Sequence, residues 1–128
     1  METLQFTILP GEYSIHRFSP IKTVPKDVYK SDFLSIVFTD NELSLICNSS
    51  IDIKSEKKDD KWTCIKLIGE FDIEITGVWA KITSIVASAG SPVLAITTFD
   101  TDYFLVKTKY LKEVKNLFEL EKYRFIYN

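Results

Sequence analysis

Hydrophobic and polar positions in the second half of the chain switch between two periods. Trp62-Thr63-Cys64-Ile65-Lys66-Leu67-Ile68 is an apolar, β-prone run ended by Gly69, which reads as a strand. Apolar residues then fall at Val78, Ile82, Ile85, Val86 and Ala89, the spacing of one helix face. Thr76 fits the N-cap of that helix. Gly90 fits its stop, and Pro92 bars its continuation. Val93 to Thr98 is a nearly apolar strand, Asp100-Thr101-Asp102 a turn, and Tyr103 to Lys107 another strand. Leu111, Val114, Leu117 and Phe118 mark a second amphipathic helix, and Tyr123 to Tyr127 a last, aromatic-rich strand. The order β-α-β-β-α-β is the split βαβ, or ferredoxin-like, arrangement. It predicts an α+β fold with two helices over one face of a four-stranded antiparallel sheet.

The first half is a looser echo. Tyr13 to Phe18 alternates like a strand. Pro20 and Pro25 limit any helix between Ser19 and Lys30 to a short or irregular one. Phe33 to Phe38 and Leu43 to Cys47 read as strands joined by a tight turn at Asp40-Asn41. The charged run Lys54 to Lys61 reads as a solvated connection. The expected division is a degenerate module over residues 1–61 and a complete one over residues 62–128, with the boundary between repeats near Lys61.

Charge narrows the function. The chain has 128 residues, 16 basic and 18 acidic, with net charge −2. That balance offers no electrostatic footprint for nucleic acid or anionic lipid. No apolar run approaches the roughly 20 residues that span a bilayer. The start, Met1 to Phe6, lacks the basic and apolar regions of a signal peptide. A cytoplasmic protein is expected. In that setting Cys47 and Cys64 are read as two reduced core thiols. One His and two isolated Cys cannot supply a zinc-type ligand set, so neither metal nor cofactor is expected.

No catalytic constellation appears. His16 is the only His, and a general base needs a positioned partner. Asp100 and Asp102 admit three readings: a turn that caps its own backbone, a metal or acid/base pair, or an anionic contact for an ammonium group. Thr76-Gly77 is first of all a helix start. The same geometry also gives free main-chain N–H groups that attract a carboxylate, and Gly77 allows close approach. Thr97, Thr98 and Phe99 end the neighbouring strand. Together these groups suit both ends of a zwitterion. Trp79 falls beside the main apolar helix face, where an exposed Trp would mark a dimer or inter-repeat contact.

One ordered series of motifs carries a resemblance. It comprises Leu9-Pro10-Gly11-Glu12-Tyr13, Asp40 to Cys47, Trp62-x-Cys64 to Gly69-x-Phe71-Asp72, Thr76-Gly77-Val78, and Thr97-Thr98-Phe99-Asp100-Thr101-Asp102-Tyr103. From about Ile8 to about Glu121 the chain resembles short bacterial proteins with tandem ACT-like domains, a group with the mammalian cytosolic arginine sensor as a longer relative. The resemblance implies two ACT-type modules, the first degenerate, and amino-acid binding at a module interface. Carried onto this chain, it points to Thr76, Gly77, Val78, Thr98, Phe99 and Asp102, with Thr98 and Phe99 as pocket walls and Asp102 as a polar contact. Thr97 joins them by position. It also implies a homodimer. The expected function is non-catalytic: a regulatory or sensor protein for a free amino acid. The rival is a structural or protein-interaction scaffold of the same fold with a vestigial pocket.

Overall fold

Alternation along Ile65 and Leu67 buries both side chains on one sheet face, and the rest of the larger unit is built on that row. The computed structural model describes residues 4–20, 23–68 and 75–126, the side chains of Ile75 and Thr76 excepted. Its contacts divide the chain into two compact units, Met1–Leu9 with Thr63–Asn128, and Pro10–Trp62.

In the larger unit the elements are β1 (Gln5–Ile8), residues 63–68 of β5 (Lys57–Ile68), α1 (Ile75–Ser88), β6 (Val93–Thr97), β7 (Asp102–Lys107), α2 (Leu111–Leu120) and β8 (Arg124–Phe125). The strands lie in the order β6-β7-β5-β1-β8. Phe6 pairs with Leu67 in antiparallel register and with Phe125 in parallel register. The expected βαββαβ path is therefore present with one addition. β1 lies between the first and last strands of the motif, a strand that the sequence pattern did not disclose.

Both helices cover one face. Ile82, Ile85 and Val86 of α1 and Val114 and Phe118 of α2 bury against Phe6, Ile65, Leu67, Phe104 and Val106. Full burial of a side chain of this size contributes about 1.5–3 kcal/mol over leaving it exposed. Trp79 is half-buried and joins this core, edge-on to Phe104 with centroids 6.4 Å apart. The condition for a contact site, an exposed Trp, is therefore not met. The apolar arc of α1 is wide enough to take position 79 as well as 78, 82, 85 and 86.

Helix ends follow local chemistry. Gly90 takes φ +88°, and Ser91 N donates to Val86 O while Gly90 N donates to Ala87 O. This is a Schellman stop. α2 ends the same way on Lys122, a non-Gly residue at φ 69°, with Tyr123 N on Phe118 O and Lys122 N on Glu119 O. α1 begins at Ile75, so Thr76 is its second residue rather than the predicted N-cap.

The smaller unit holds β2 (Tyr13–Phe18), a 3-10 turn at Lys26–Lys30, β3 (Ser35–Phe38), β4 (Leu43–Asn48) and residues 57–62 of β5. Its strand order is β3-β4-β2-β5. Phe18, Leu43, Leu45 and Cys47 form its core, under Val28 of the 3-10 turn and Ile51 and Ile53. The short or irregular helix expected between Ser19 and Lys30 is that 3-10 turn.

The charged run corrects one expectation. Lys57 to Lys61 is strand, not a solvated connection, because main-chain pairing to Ile15, His16 and Arg17 of β2 outweighs side-chain polarity. The register slips between Tyr13↔Trp62 and Ile15↔Asp59, one extra residue on β5. Lys61 absorbs it at φ 66°, the geometry of a bulge that favours Gly.

Candidate ligand site at the α1 start and the β6–β7 turn

In a βαββαβ path the ends of the first two strands lie at the same end of the sheet. The start of α1 and the β6–β7 turn therefore share that end. β6 and β7 pair through Thr97↔Asp102, the last rung of their ladder. The turn between them is closed by Thr98. Its N–H donates to Thr101 O at 2.8 Å, its Oγ1 also donates to Thr101 O, and Thr101 N returns to Oγ1 at 3.1 Å. A threonine suits this place because its hydroxyl can bond its own backbone locally.

Asp102 stands just past that turn, half-buried. Its Oδ1 is enclosed and has no hydrogen-bond partner among the described residues. A buried acceptor without a partner costs about 1–3 kcal/mol. Thr97 and Thr98 are exposed, and Phe99 is fully exposed at the tip of the turn. Across the same end, Val78 is half-buried against the core and Gly77 is exposed. Among the described residues, a Cβ added at Gly77 would meet nothing within 4 Å. The side chain of Thr76 is outside the described residues, as is the whole stretch 69–74 with the quoted Gly69, Phe71 and Asp72.

The structure thus sets Gly77, Val78, Thr97, Thr98, Phe99 and Asp102 at one end of one sheet. Thr98 is committed to its turn and Phe99 projects to solvent, so neither walls an enclosed space there. Two cavities among the described residues lie elsewhere. One of about 460 Å³ is lined by Asp27, Lys30, Asp32, Asn48, Ser50, Ile51 and Asp52. The other lies along α2 at Leu111, Lys112, Lys115, Asn116 and Glu119. Sequence reasoning passed over the first, since its acids come from two stretches some twenty residues apart.

The remaining titratable candidates are enclosed. His16 is 2% exposed, its Nδ1 2.9 Å from Ser55 Oγ. Burial, and then the charge of Lys58, push its pKa below the ordinary 6.5. Cys47 and Cys64 are buried and unbonded to each other. No group of three or more His, Cys, Asp or Glu among the described residues could hold a metal ion. No helix among them is long and apolar enough to cross a membrane.

Residues 57–119 match the model of the ACT domain family, and residues 11–52 match a second model described as an N-terminal domain. No curated protein matches the chain. Among solved structures, a crystal structure of an Agobacterium tumefaciens protein is similar over 98% of this chain and 94% of its own, with 28% identity and a TM-score of 0.89. A Vibrio cholerae protein of unknown function, described as a possible transport protein, is similar over 92% and 89%, with 13% identity and a TM-score of 0.69. The regulatory subunit of aspartate kinase from Thermus thermophilus, in ligand-free form, is similar over 86% and 92%, with 12% identity and a TM-score of 0.61. The chain therefore has an α+β, ferredoxin-like fold of ACT type, and its match to the ACT domain family falls on residues 57–119.

Proposed function

We propose that this chain is a non-catalytic regulatory protein that binds a free amino acid at the α1 start and the β6–β7 turn. The observation that carries the reading is Asp102 Oδ1, enclosed and without a hydrogen-bond partner among the described residues. An ammonium group placed there would satisfy it with a charge-assisted bond, the stronger kind. Among the described residues nothing lies within 4 Å of a Cβ added at Gly77, early in a 14-residue helix, and a carboxylate seated there would meet main-chain N–H groups. One ligand with both charges a few ångströms apart is an α-amino acid. Similarity to the regulatory subunit of an aspartate kinase supports the regulatory role. The fuller reading has two ACT-type modules, the first degenerate and β1 packed with the second, a homodimer, and the cytoplasm as its setting.

The test is a thermal-shift screen against the twenty amino acids, run on the wild type, Asp102→Ala and Asp102→Asn. A ligand at about 100 times its Kd adds roughly 2.7 kcal/mol, several degrees in a domain of this size. One amino acid should raise the midpoint in the wild type and lose that effect in both variants. A flat screen on folded wild type would sink the reading, as would a shift that Asp102→Ala leaves intact.

A further inference from the structure

The outer edge of β3 is open, and its apolar residues are not covered. β3 ends the strand order of the smaller unit and, among the described residues, pairs only with β4. Thr39 N donates to Glu42 O, which fixes the phase of the antiparallel ladder. In that alternation the main-chain groups of every second residue face the partner strand. Those of Ile36 and Phe38 therefore face outward. Ile36, Val37 and Phe38 are 39%, 52% and 65% exposed. β3 itself carries no charge, proline or bulge, the devices that usually blunt such an edge.

The side chains show what an added strand would gain. Ile36 is opposite Leu45 and Phe38 opposite Leu43. Leu43 and Leu45 are core, 1% and 0% exposed. The buried apolar row of β4 thus continues onto β3 and stops there in solvent. An incoming strand with apolar residues at alternate positions would extend the row.

Charge selects the occupant. At the start of β3 lies the open cavity of about 460 Å³ lined by Asp27, Asp32 and Asp52, with Lys30. Lys30 is 3.4 Å from Asp27. Asp32 and Asp52 have no ion pair among the described residues. Asp32 precedes Ile36 by four residues, about 13 Å of extended chain, within reach of a side chain at the end of a docked strand. A second copy of this chain fits poorly. A two-fold pairing centred on Ile36 sets Asp32 against Asp40, while those centred on Val37 and Phe38 set the apolar Leu34 and Ile36 against the charged Asp40. Like charges directly opposite are destabilising.

We propose that β3 is a docking edge for an extended segment of another protein, apolar at alternate positions and carrying a terminal lysine or arginine that reaches Asp32 and Asp52. Main-chain hydrogen bonds supply affinity in this mode, and side-chain pockets supply specificity.

The probe is a fluorescein-labelled octapeptide of alternating Val and Thr with Arg at both ends, followed by anisotropy. Its counterpart carries Glu at both ends. Phe38→Pro removes an outward N–H without taking a ladder bond from β4, so the fold should persist. An unchanged circular dichroism spectrum checks this, and Phe38→Lys serves as the second edge variant. Expected are saturable binding of the Arg peptide, at least tenfold weaker in either Phe38 variant and several-fold weaker in Asp32→Asn/Asp52→Asn, and at least tenfold weaker binding of the Glu peptide. The proposal is overturned by no binding of the Arg peptide, by equal binding of both peptides, or by affinity that the Phe38 variants leave unchanged. Sedimentation that shows a wild-type dimer abolished by Phe38→Pro would assign the edge to a second copy instead.

Discussion

The rings of Phe6 and Phe118 meet with centroids 4.8 Å apart at 66°. Phe6 also contacts the rings of Phe104, Tyr123 and Phe125 at 5.5, 5.7 and 5.2 Å. One residue of β1 therefore ties a strand near the N-terminus to α2, β7 and β8. Phe6→Ala should cost about 3–5 kcal/mol, a large part of the 5–15 kcal/mol that holds a typical domain. Phe6→Leu, which keeps most of the volume, should cost roughly 1–2 kcal/mol. Urea midpoints of the two variants check this. Equal and small losses would show that β1 is not integral to the core.

Backbone geometry gives a prediction of opposite sign. Lys122 holds φ 69° at the stop of α2, in the place Gly90 fills for α1. A left-handed conformation costs a residue with a Cβ about 1–2 kcal/mol, and glycine nothing comparable. Lys122→Gly should stabilise by up to about 1 kcal/mol after the added freedom of the unfolded chain is counted. Gly90→Ala should destabilise by about 1–2 kcal/mol for the same reason. Its new Cβ would meet only Tyr110 Cε1 at 3.8 Å, ordinary contact, so strain rather than a clash sets the cost. Thermal midpoints that move in the same direction for both would contradict this account.

Much of the larger unit was legible in the residues because each signal was local. The spacing from Val78 to Ala89, the stop at Gly90 and the polar turn between Thr97 and Tyr103 all depend on neighbours a few positions away. β1 was not legible: Gln5 to Ile8 is too short to show a period, and it becomes a strand only by pairing with residues about sixty positions on. Lys57 to Lys61 failed for the converse reason. Its charges look like a loop, yet an exposed strand segment keeps its side chains in water while its backbone bonds to β2. At the candidate site, the turn that brings Thr97 and Asp102 together could be read. The enclosure of Asp102 Oδ1 could not, since burial of one oxygen depends on the tertiary path.

The two thiols should be inert in the native protein. Burial pushes the Cys64 thiol up to about 12 and raises that of Cys47 as well. The thiolate is the reactive form, so neither should titrate with Ellman's reagent at pH 8. Both should react in denaturant. Rapid reaction of the native protein with even one equivalent would mean that a thiol is reached by local opening.

Acid sensitivity should originate at His16. Ser55 Oγ lies 2.9 Å from His16 Nδ1 and donates its one proton to Lys57 O, also at 2.9 Å. Nδ1 therefore carries the ring proton and donates to Ser55, which leaves Nε2 as an enclosed acceptor with no partner among the described residues. Protonating Nε2 would bury an unpaired donor and a charge near Lys58, and the imidazole pKa is held below 6.5, first by desolvation and then by Lys58. The unfolded chain takes up this proton at about 6.5, before the folded chain does. The contribution of His16 is thus fully present above about pH 6.5 and is lost as pH falls from there through the folded value. Urea midpoints between pH 7.5 and 5.5 should fall in the wild type and fall less in His16→Asn, whose side-chain amide can keep the bond to Ser55. Lys58→Gln should also shrink the loss, by removing the second cause. Identical slopes in all three proteins would place the acid sensitivity on other groups.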